Sequence, residues 1–322
     1  MSDELTLEVR GLKKSYGAVT ALEELTYSAR AGEIVGFLGP NGAGKTTTIR
    51  VLTTILAPTA GSFSVVGIPH TRPAEIRARI GVLPESAGYP ESQTGEEFLT
   101  YHGQLFGLSR ANARSTAAAL LGEVGLEERA SWPISAYSRG MKQRLGIARA
   151  LVNEPSVVFF DEPTLGLDPA GQRQVLRLIQ AIARERGATV VLSTHFLAEV
   201  EETCTRVLIL GRGRVVAEGT VAEVSRRAAA PRQGRFRVPA EQRATAVDAL
   251  AGVAGVASAE AADSQPDWVT ITLDEGPDPT GGFQRQVTAA IGALSAAGVP
   301  LLGFELEGAR LSDAFLSVTE VG

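Results

Sequence analysis

Gly39-Pro40-Asn41-Gly42-Ala43-Gly44-Lys45-Thr46-Thr47 stands between an apolar, strand-like run, Ile34 to Leu38, and a helical pattern over Thr46 to Leu56. That is the setting a phosphate-binding loop of the form GxxxxGK[ST] requires. The glycines let the backbone bend and bring its N–H groups onto a polyphosphate. Lys45 supplies a point charge for the outer phosphates, Thr46 a hydroxyl for Mg²⁺, and the helix aims its positive end at the anion. Gly39, Asn41, Gly42, Gly44, Lys45, Thr46 and Thr47 are therefore expected to cradle a nucleoside triphosphate.

The chain has 322 residues, room for one large domain and a smaller one. Its 44% hydrophobic and 21% charged fractions are those of a globular protein, and a net charge of -5 gives no electrostatic case for a nucleic-acid partner. A single cysteine, Cys204, cannot form an internal disulfide, and Met1 to Arg10 carries charges where a secretory signal needs an apolar core. These features read as cytosolic. No run reaches the ~18 to 20 apolar residues that span a bilayer, so a membrane role would come through a partner. Lysine occurs only at positions 13, 14, 45 and 142, which makes its placement at 45 more telling.

Polar and apolar residues alternate over Leu5 to Val9 and Leu22 to Ala29, predicting two amphipathic strands. Between them, Tyr16 in Ser15-Tyr16-Gly17 either stacks on a purine ring or packs on the sheet as a turn residue. Gly61 to Val66 and Ile80 to Leu83 read as buried strands, the second stopped by Pro84, with Glu85 at the carboxyl edge where open α/β sheets place ligands. Gly95 to Gly107 and Ser109 to Gly125 read as helices of an insertion over about 86–136. Tyr137 to Arg144 opens a further helix with Ser138 and Gly140 at its start, a setting for capping and anion contact. Val157 to Phe160 is an apolar strand ending in Asp161-Glu162, a carboxylate pair costly to bury without purpose. Thr164 to Asp168 is a turn, Pro169 fits a helix first turn, and Ala170 to Arg186 has an amphipathic helical pattern. Ala188 to Leu192 is another buried strand, and its polar end, Ser193-Thr194-His195, shares the edge of Glu85 and Asp161. His70 and His102 lack such a setting and read as surface or satisfied helix residues.

Together these motifs resemble the ATP-binding subunit of ABC transporters over roughly residues 3–225. Gly39 to Thr46 is similar to the Walker A loop, Tyr137 to Lys142 to the signature motif, and Phe159 to Glu162 to the Walker B strand with its following glutamate. Leu165 to Asp168 resembles the D-loop, His195 the switch histidine, and Tyr16 the adenine-stacking aromatic. Two positions depart from the family pattern: Glu85 replaces the usual Q-loop glutamine, and the signature reads Tyr-Ser-Arg-Gly-Met rather than Leu-Ser-Gly-Gly-Gln. Both variants are similar to the exporter subgroup of daunorubicin-resistance pumps and polysaccharide or lipid exporters. The resemblance implies an α/β P-loop NTPase fold, an ABC cassette with a mixed sheet and helical insertion, hydrolysing ATP with Mg²⁺.

The implied roles divide between catalysis by Glu162 and His195, metal binding by Thr46, Asp161 and Glu85, and nucleotide binding by Tyr16, the loop, Ser138, Gly140 and Asp168. Ser138 and Gly140 act in trans, on nucleotide held by a second copy in a head-to-tail dimer. The implied partners are that copy and an integral membrane permease reached through the insertion near Glu85 to Phe106, at the inner face of the cell membrane. The alternatives are an importer subunit, which the cassette motifs alone do not separate from an exporter, and a DNA-repair ATPase or translation factor. The last two are disfavoured because no long coiled coil, zinc module or second cassette is present.

Beyond an Arg/Ala/Pro-rich stretch, Ser225 to Gln233, read as a linker, the pattern changes. Arg235 to Val238, Val253 to Ala257, Trp268 to Leu273 and Leu301 to Leu306 read as strands, and Glu241 to Leu250 and Phe283 to Ala297 as helices. That β-α-β-β-α-β order predicts a C-terminal ferredoxin-like α+β domain. Its strands show no interleaved basic and aromatic residues of an RNA-binding face. Leu311 to Leu316 resembles the helix that closes the same exporter subunits. The expected domains are 1–228 and 229–322.

Overall fold

The computed structural model describes residues 5–227, 233–261, 265, 267–273 and 282–307. Contacts divide the chain into two compact units that part between Val224 and Ser225.

The larger unit is built on a six-stranded sheet in the order Arg214–Thr220, Arg206–Gly211, Ile34–Leu38, Thr189–Thr194, Val157–Asp161, Ile80–Leu83. The last five are parallel and the first is antiparallel to its neighbour, so the sheet is mixed, as expected. Ile34–Leu38 and Val157–Asp161 are buried at every position. Strands covered on both faces need apolar residues throughout, which explains why these runs do not alternate. Successive residues nevertheless serve opposite cores. Val158, Phe160, Val190 and Leu192 join Leu145, Ile147 and Ile179 with Phe98, Leu99, Leu120 and Leu121 of the insertion. Val157, Phe159 and Val191 join Phe37, Ile49 and Leu52 on the other side.

That second core is closed by an antiparallel sheet ordered Val19–Arg30, Leu5–Tyr16, Ala60–Val65, Ile68–Pro69. Its two long strands each extend well past the predicted runs and meet in a hairpin where Tyr16 pairs with Val19. Ala60–Val65, expected to be buried, is so only at Phe63 and Val65. Alternation explains the difference, because Ser62 and Ser64 point away from the core.

The helix after the phosphate loop, Lys45–Leu52, is shorter than predicted. Thr53 caps it by returning its hydroxyl to the Ile49 carbonyl (2.7 Å), and Thr54 then takes φ 61°, which turns the chain out of the helix. The insertion carries helices Gly95–Leu105 and Arg110–Glu123. Thr94 and Glu97 start the first with a reciprocal capping box, and Ser109 caps the second. Elements not anticipated from sequence are the short Ile68–Pro69 strand, helices Pro73–Arg77 and Val221–Arg227, and strands Arg206–Gly211 and Arg214–Thr220, whereas helix Leu197–Thr203 follows His195 as the sequence suggests. Ser225 to Arg227 belong to a helix rather than to a linker; residues 228–232 and the expected closing helix over 311–316 lie outside the described residues.

The smaller unit follows the predicted β-α-β-β-α-β order. Its antiparallel sheet runs Val256–Ala261, Trp268–Leu273, Gln233–Arg237, Gly303–Glu307, the strand arrangement of a ferredoxin-like domain. Helices Arg243–Ala251 and Gly282–Ala296 accompany it, and Leu250, Ala290 and Leu294 bury against Phe236, Val269 and Ile271. The strand predicted over Val253 to Ala257 begins later because Val253 to Val256 form a turn through Gly255, at φ 88°.

Candidate functional site

The phosphate loop leaves the carboxyl end of Ile34–Leu38, and two glycines set its path. A Cβ at Gly39 would lie 2.5 Å from the Leu210 carbonyl oxygen. Gly44, at φ 104°, is the N-cap of the helix and passes so close to Ala21 that a Cβ would sit 2.8 Å from its carbonyl oxygen. Only glycine combines that dihedral with that approach. Lys45 begins the helix and is almost fully buried. Its Nζ donates to the Gly39 carbonyl at 2.6 Å and lies 3.7 Å from Glu162 Oε1.

The Val157–Asp161 strand delivers the acidic partners. Asp161, 3% exposed, accepts a hydrogen bond from Thr46 Oγ1 at 3.2 Å. Glu162 then turns out of the strand at φ 50°, an unusual dihedral for a residue with a side chain, and donates its backbone N–H to the Ser193 carbonyl at 3.0 Å. That turn directs its carboxylate between two cationic or polar groups, Lys45 on one oxygen and His195 Nδ1 on the other, at 2.9 Å. Three residues far apart in sequence thus form one contact chain at the carboxyl edge of the sheet.

Thr46 and Asp161 offer hard oxygen donors side by side, the set that suits Mg²⁺ when phosphate and water complete its shell.

A cavity of ≈ 340 Å³ opens beside this chain, lined by Asn41, Gly42, Gly44, Lys45, Thr46, Thr47, Glu85, Glu162 and His195. Glu85 is exposed at its wall. Tyr16 is outside the lining, 46% exposed at its strand end with Lys14 Nζ 5.2 Å from the ring centre. That exposure disagrees with a tyrosine packed on the sheet. Ser138, Gly140 and Asp168 are not brought to this cavity. They line another, of ≈ 460 Å³, where Ser138 caps helix Arg139–Ala150 by accepting from Met141 N–H (3.3 Å) and Asp168 caps Pro169–Arg186 by accepting from Gly171 N–H (3.3 Å).

Three further contacts were not legible in the motifs. The Arg139 guanidinium lies against Gly166, at φ 71°, bringing the signature to the D-loop turn. Tyr89 donates its hydroxyl to the Lys142 carbonyl at 2.8 Å, linking the segment after Glu85 to the signature helix. Thr194 donates to buried Glu199 Oε2 at 2.7 Å, directly behind His195. The one available signal was a carboxylate, Glu199, on the short helix after His195. His70 stacks on Phe63, and His102 is half-buried, edge-on to Phe98. Burial, then the charge of Arg149, pushes His102 down to about 4.

The family model described as ABC transporter matches residues 22–165. The daunorubicin/doxorubicin resistance ATP-binding protein DrrA of Streptomyces peucetius is 37% identical over 97% of this chain and 92% of its own length. The Nod factor export ATP-binding protein I of Paraburkholderia xenovorans is 43% identical over 67% of this chain and 71% of its own. A solved ATP-binding subunit of an ABC transporter is 37% identical, with a TM-score of 0.62 over 69% of this chain and 92% of that one. A dimeric cassette in a post-hydrolysis state, bound to ADP and Pi, is 26% identical, with a TM-score of 0.61 over 66% of this chain and 98% of that one.

Proposed function

This chain belongs to the ABC transporter family as an ATP-binding, ATP-hydrolysing subunit, and from that premise we propose that it powers a membrane exporter through ATP-driven closure of a head-to-tail dimer. The observation that carries this reading is the division of the motifs between two cavities of one chain. Lys45, Glu162 and His195 meet in one, Ser138, Gly140 and Asp168 in the other, and a head-to-tail partner brings the second set onto nucleotide held by the first.

In the composite site Lys45 and the loop N–H groups hold the β- and γ-phosphates, exchanging the Glu162 carboxylate for phosphate oxygens at Lys45. Tyr16, exposed at the end of its strand, stacks on the adenine. Glu162, released from Lys45, orients and polarises the attacking water; His195 binds the γ-phosphate and registers its loss. Thr46 and Asp161 would hold Mg²⁺, with Glu85 at the rim, and the metal supplies neutralisation of the charge developing on the phosphate oxygens. Closure and reopening of the dimer are passed to a permease through the insertion, whose first helix and its end expose Tyr101, Leu105 and Phe106.

The relatives named for anthracycline resistance and Nod factor export support export of a drug, lipid or polysaccharide. No described helix is long and apolar enough to cross a membrane. Work at the inner face of the cell membrane, with the permease carrying the spans, accords with that.

Mixing two inactive variants tests the trans arrangement. Ser138→Arg alone binds ATP with parental affinity but does not hydrolyse it, and Lys45→Ala does not bind it. In the mixed dimer one site carries both lesions and the other is intact, so ATP hydrolysis returns. Loss of ATP binding by Ser138→Arg alone, or a mixture as inactive as its components, overturns the arrangement.

A further inference from the structure

Glu199 is buried, 6% exposed, on the Leu197–Thr203 helix that follows the His195 turn. A buried carboxylate without a cation is costly, and among the described residues it makes no ion pair. The Thr194 hydroxyl donates to it at 2.7 Å, and Thr164 is its other side-chain hydrogen-bonding neighbour. The same hydroxyl oxygen accepts the Phe196 backbone N–H at 3.1 Å. Thr194 therefore bridges both sides of His195, tying the residue before it to the residue after it, and Glu199 consumes the hydroxyl proton so that the oxygen is free to accept. The product of this arrangement is a fixed turn whose imidazole Nδ1 stands 2.9 Å from Glu162 Oε2.

We propose that Glu199 is a positioning residue which, through Thr194, locks the His195 turn and so sets the imidazole against Glu162. The proposal rests on the reading of His195 and Glu162 as the catalytic pair. Two physical points support a role beyond packing. Thr194 is fully buried at the end of a central strand, where an apolar residue would fill the space without demanding a carboxylate opposite. A loose support costs far more in turnover than in binding, since a misplacement of ~1 Å in a catalytic group costs about 10²-fold in rate while the phosphate loop is untouched.

The test uses the full chain and four variants: Glu199→Ala, Glu199→Gln, Thr194→Val and the double Thr194→Val/Glu199→Ala. Glu199→Ala and Thr194→Val each lower kcat by about 10- to 100-fold and leave the Kd for ATP within about twofold. The double variant falls no further than either single one, because both remove the same support. Glu199→Gln, whose amide oxygen still accepts from Thr194, retains kcat within about threefold. A second readout needs no turnover and no binding. With only three histidines in the chain, the His195 ring ¹⁵N resonances are assignable against His70 and His102. The Nδ1 signal of the hydrogen bond to Glu162 is lost in Glu199→Ala and kept in Glu199→Gln. Multiplicative effects in the double variant, or an Nδ1 signal unchanged in Glu199→Ala, overturn the proposal. His195→Ala separates this failure from that of the premise: parental kcat in that variant refutes the catalytic pair itself, whereas a large loss there with none in Glu199→Ala refutes only the positioning role.

Discussion

Glu162→Gln tests the centre of the site, because this almost fully buried carboxylate links Lys45 at 3.7 Å to His195 at 2.9 Å at the wall of the cavity. The amide keeps the shape and loses the charge. Turnover falls by ~10² or more, about 2.7 kcal/mol of barrier, since the group that polarises water is gone. The less obvious consequence concerns the ligand-free chain. At 3.7 Å and an effective dielectric near 20 the Lys45–Glu162 attraction is about 4 kcal/mol, largely offset by desolvation of both groups. Neutralising one partner leaves the Lys45 ammonium buried against the Gly39 and Pro40 carbonyls, a loss of about 3 kcal/mol, the lower end of what breaking a buried pair costs. Triphosphate restores a counter-charge, so the penalty disappears on binding. The rise in melting temperature on adding ATP is therefore larger in the variant than in the parent by about 6 to 12 °C. Thermal unfolding with and without ATP, phosphate release, and size exclusion to detect accumulated ATP-bound dimer make the three measurements. Hydrolysis near the parental rate refutes the role of Glu162, and an equal thermal response refutes the electrostatic account of Lys45.

Glu85, exposed on the cavity wall, would in the proposed site put a negative charge near the γ-phosphate that costs Coulomb energy unless a metal offsets it. Glu85→Gln accordingly shifts the Mg²⁺ dependence of hydrolysis, and Glu85→Ala weakens stimulation by the membrane partner more than ATP binding; superimposable Mg²⁺ titrations for the three forms remove Glu85 from the site. His102, held down to about 4 by burial, gives a pH signature with a definite sign. The unfolded chain takes up this proton near pH 6.5 and the folded chain only near 4, so stability contributed above the first value is lost as pH falls towards the second. His102→Gln flattens the decline in melting temperature between pH 7 and 4, and parallel curves for parent and variant refute the assignment.

Local sequence determined the phosphate loop, the Asp161-Glu162 strand end and the cap at Ser138, because each depends on residues within one turn or strand of one another. Strand-loop-helix order around Gly39 to Lys45 follows from glycine at positions where a Cβ has no room, and the fully apolar runs follow from a sheet covered on both faces. The β-α-β-β-α-β order of the smaller unit was equally readable from periodicity. Helix length after the loop and the start of the Val256–Ala261 strand were not, since a threonine returning its hydroxyl to the backbone and a glycine turn outweigh pattern. Tertiary structure alone decided that Arg206–Gly211 pairs beside Ile34–Leu38, that Glu162 leaves its strand at φ 50°, and that Lys45 and His195 meet it from opposite sides. It also decided that Ser138, Gly140 and Asp168 stand in a different cavity from the phosphate loop. The physical reason is common to all four. Motifs record which groups a chain carries, whereas strand order and the direction of a single turn, set by contacts between residues 33 to 171 positions apart, determine which of those groups share a volume.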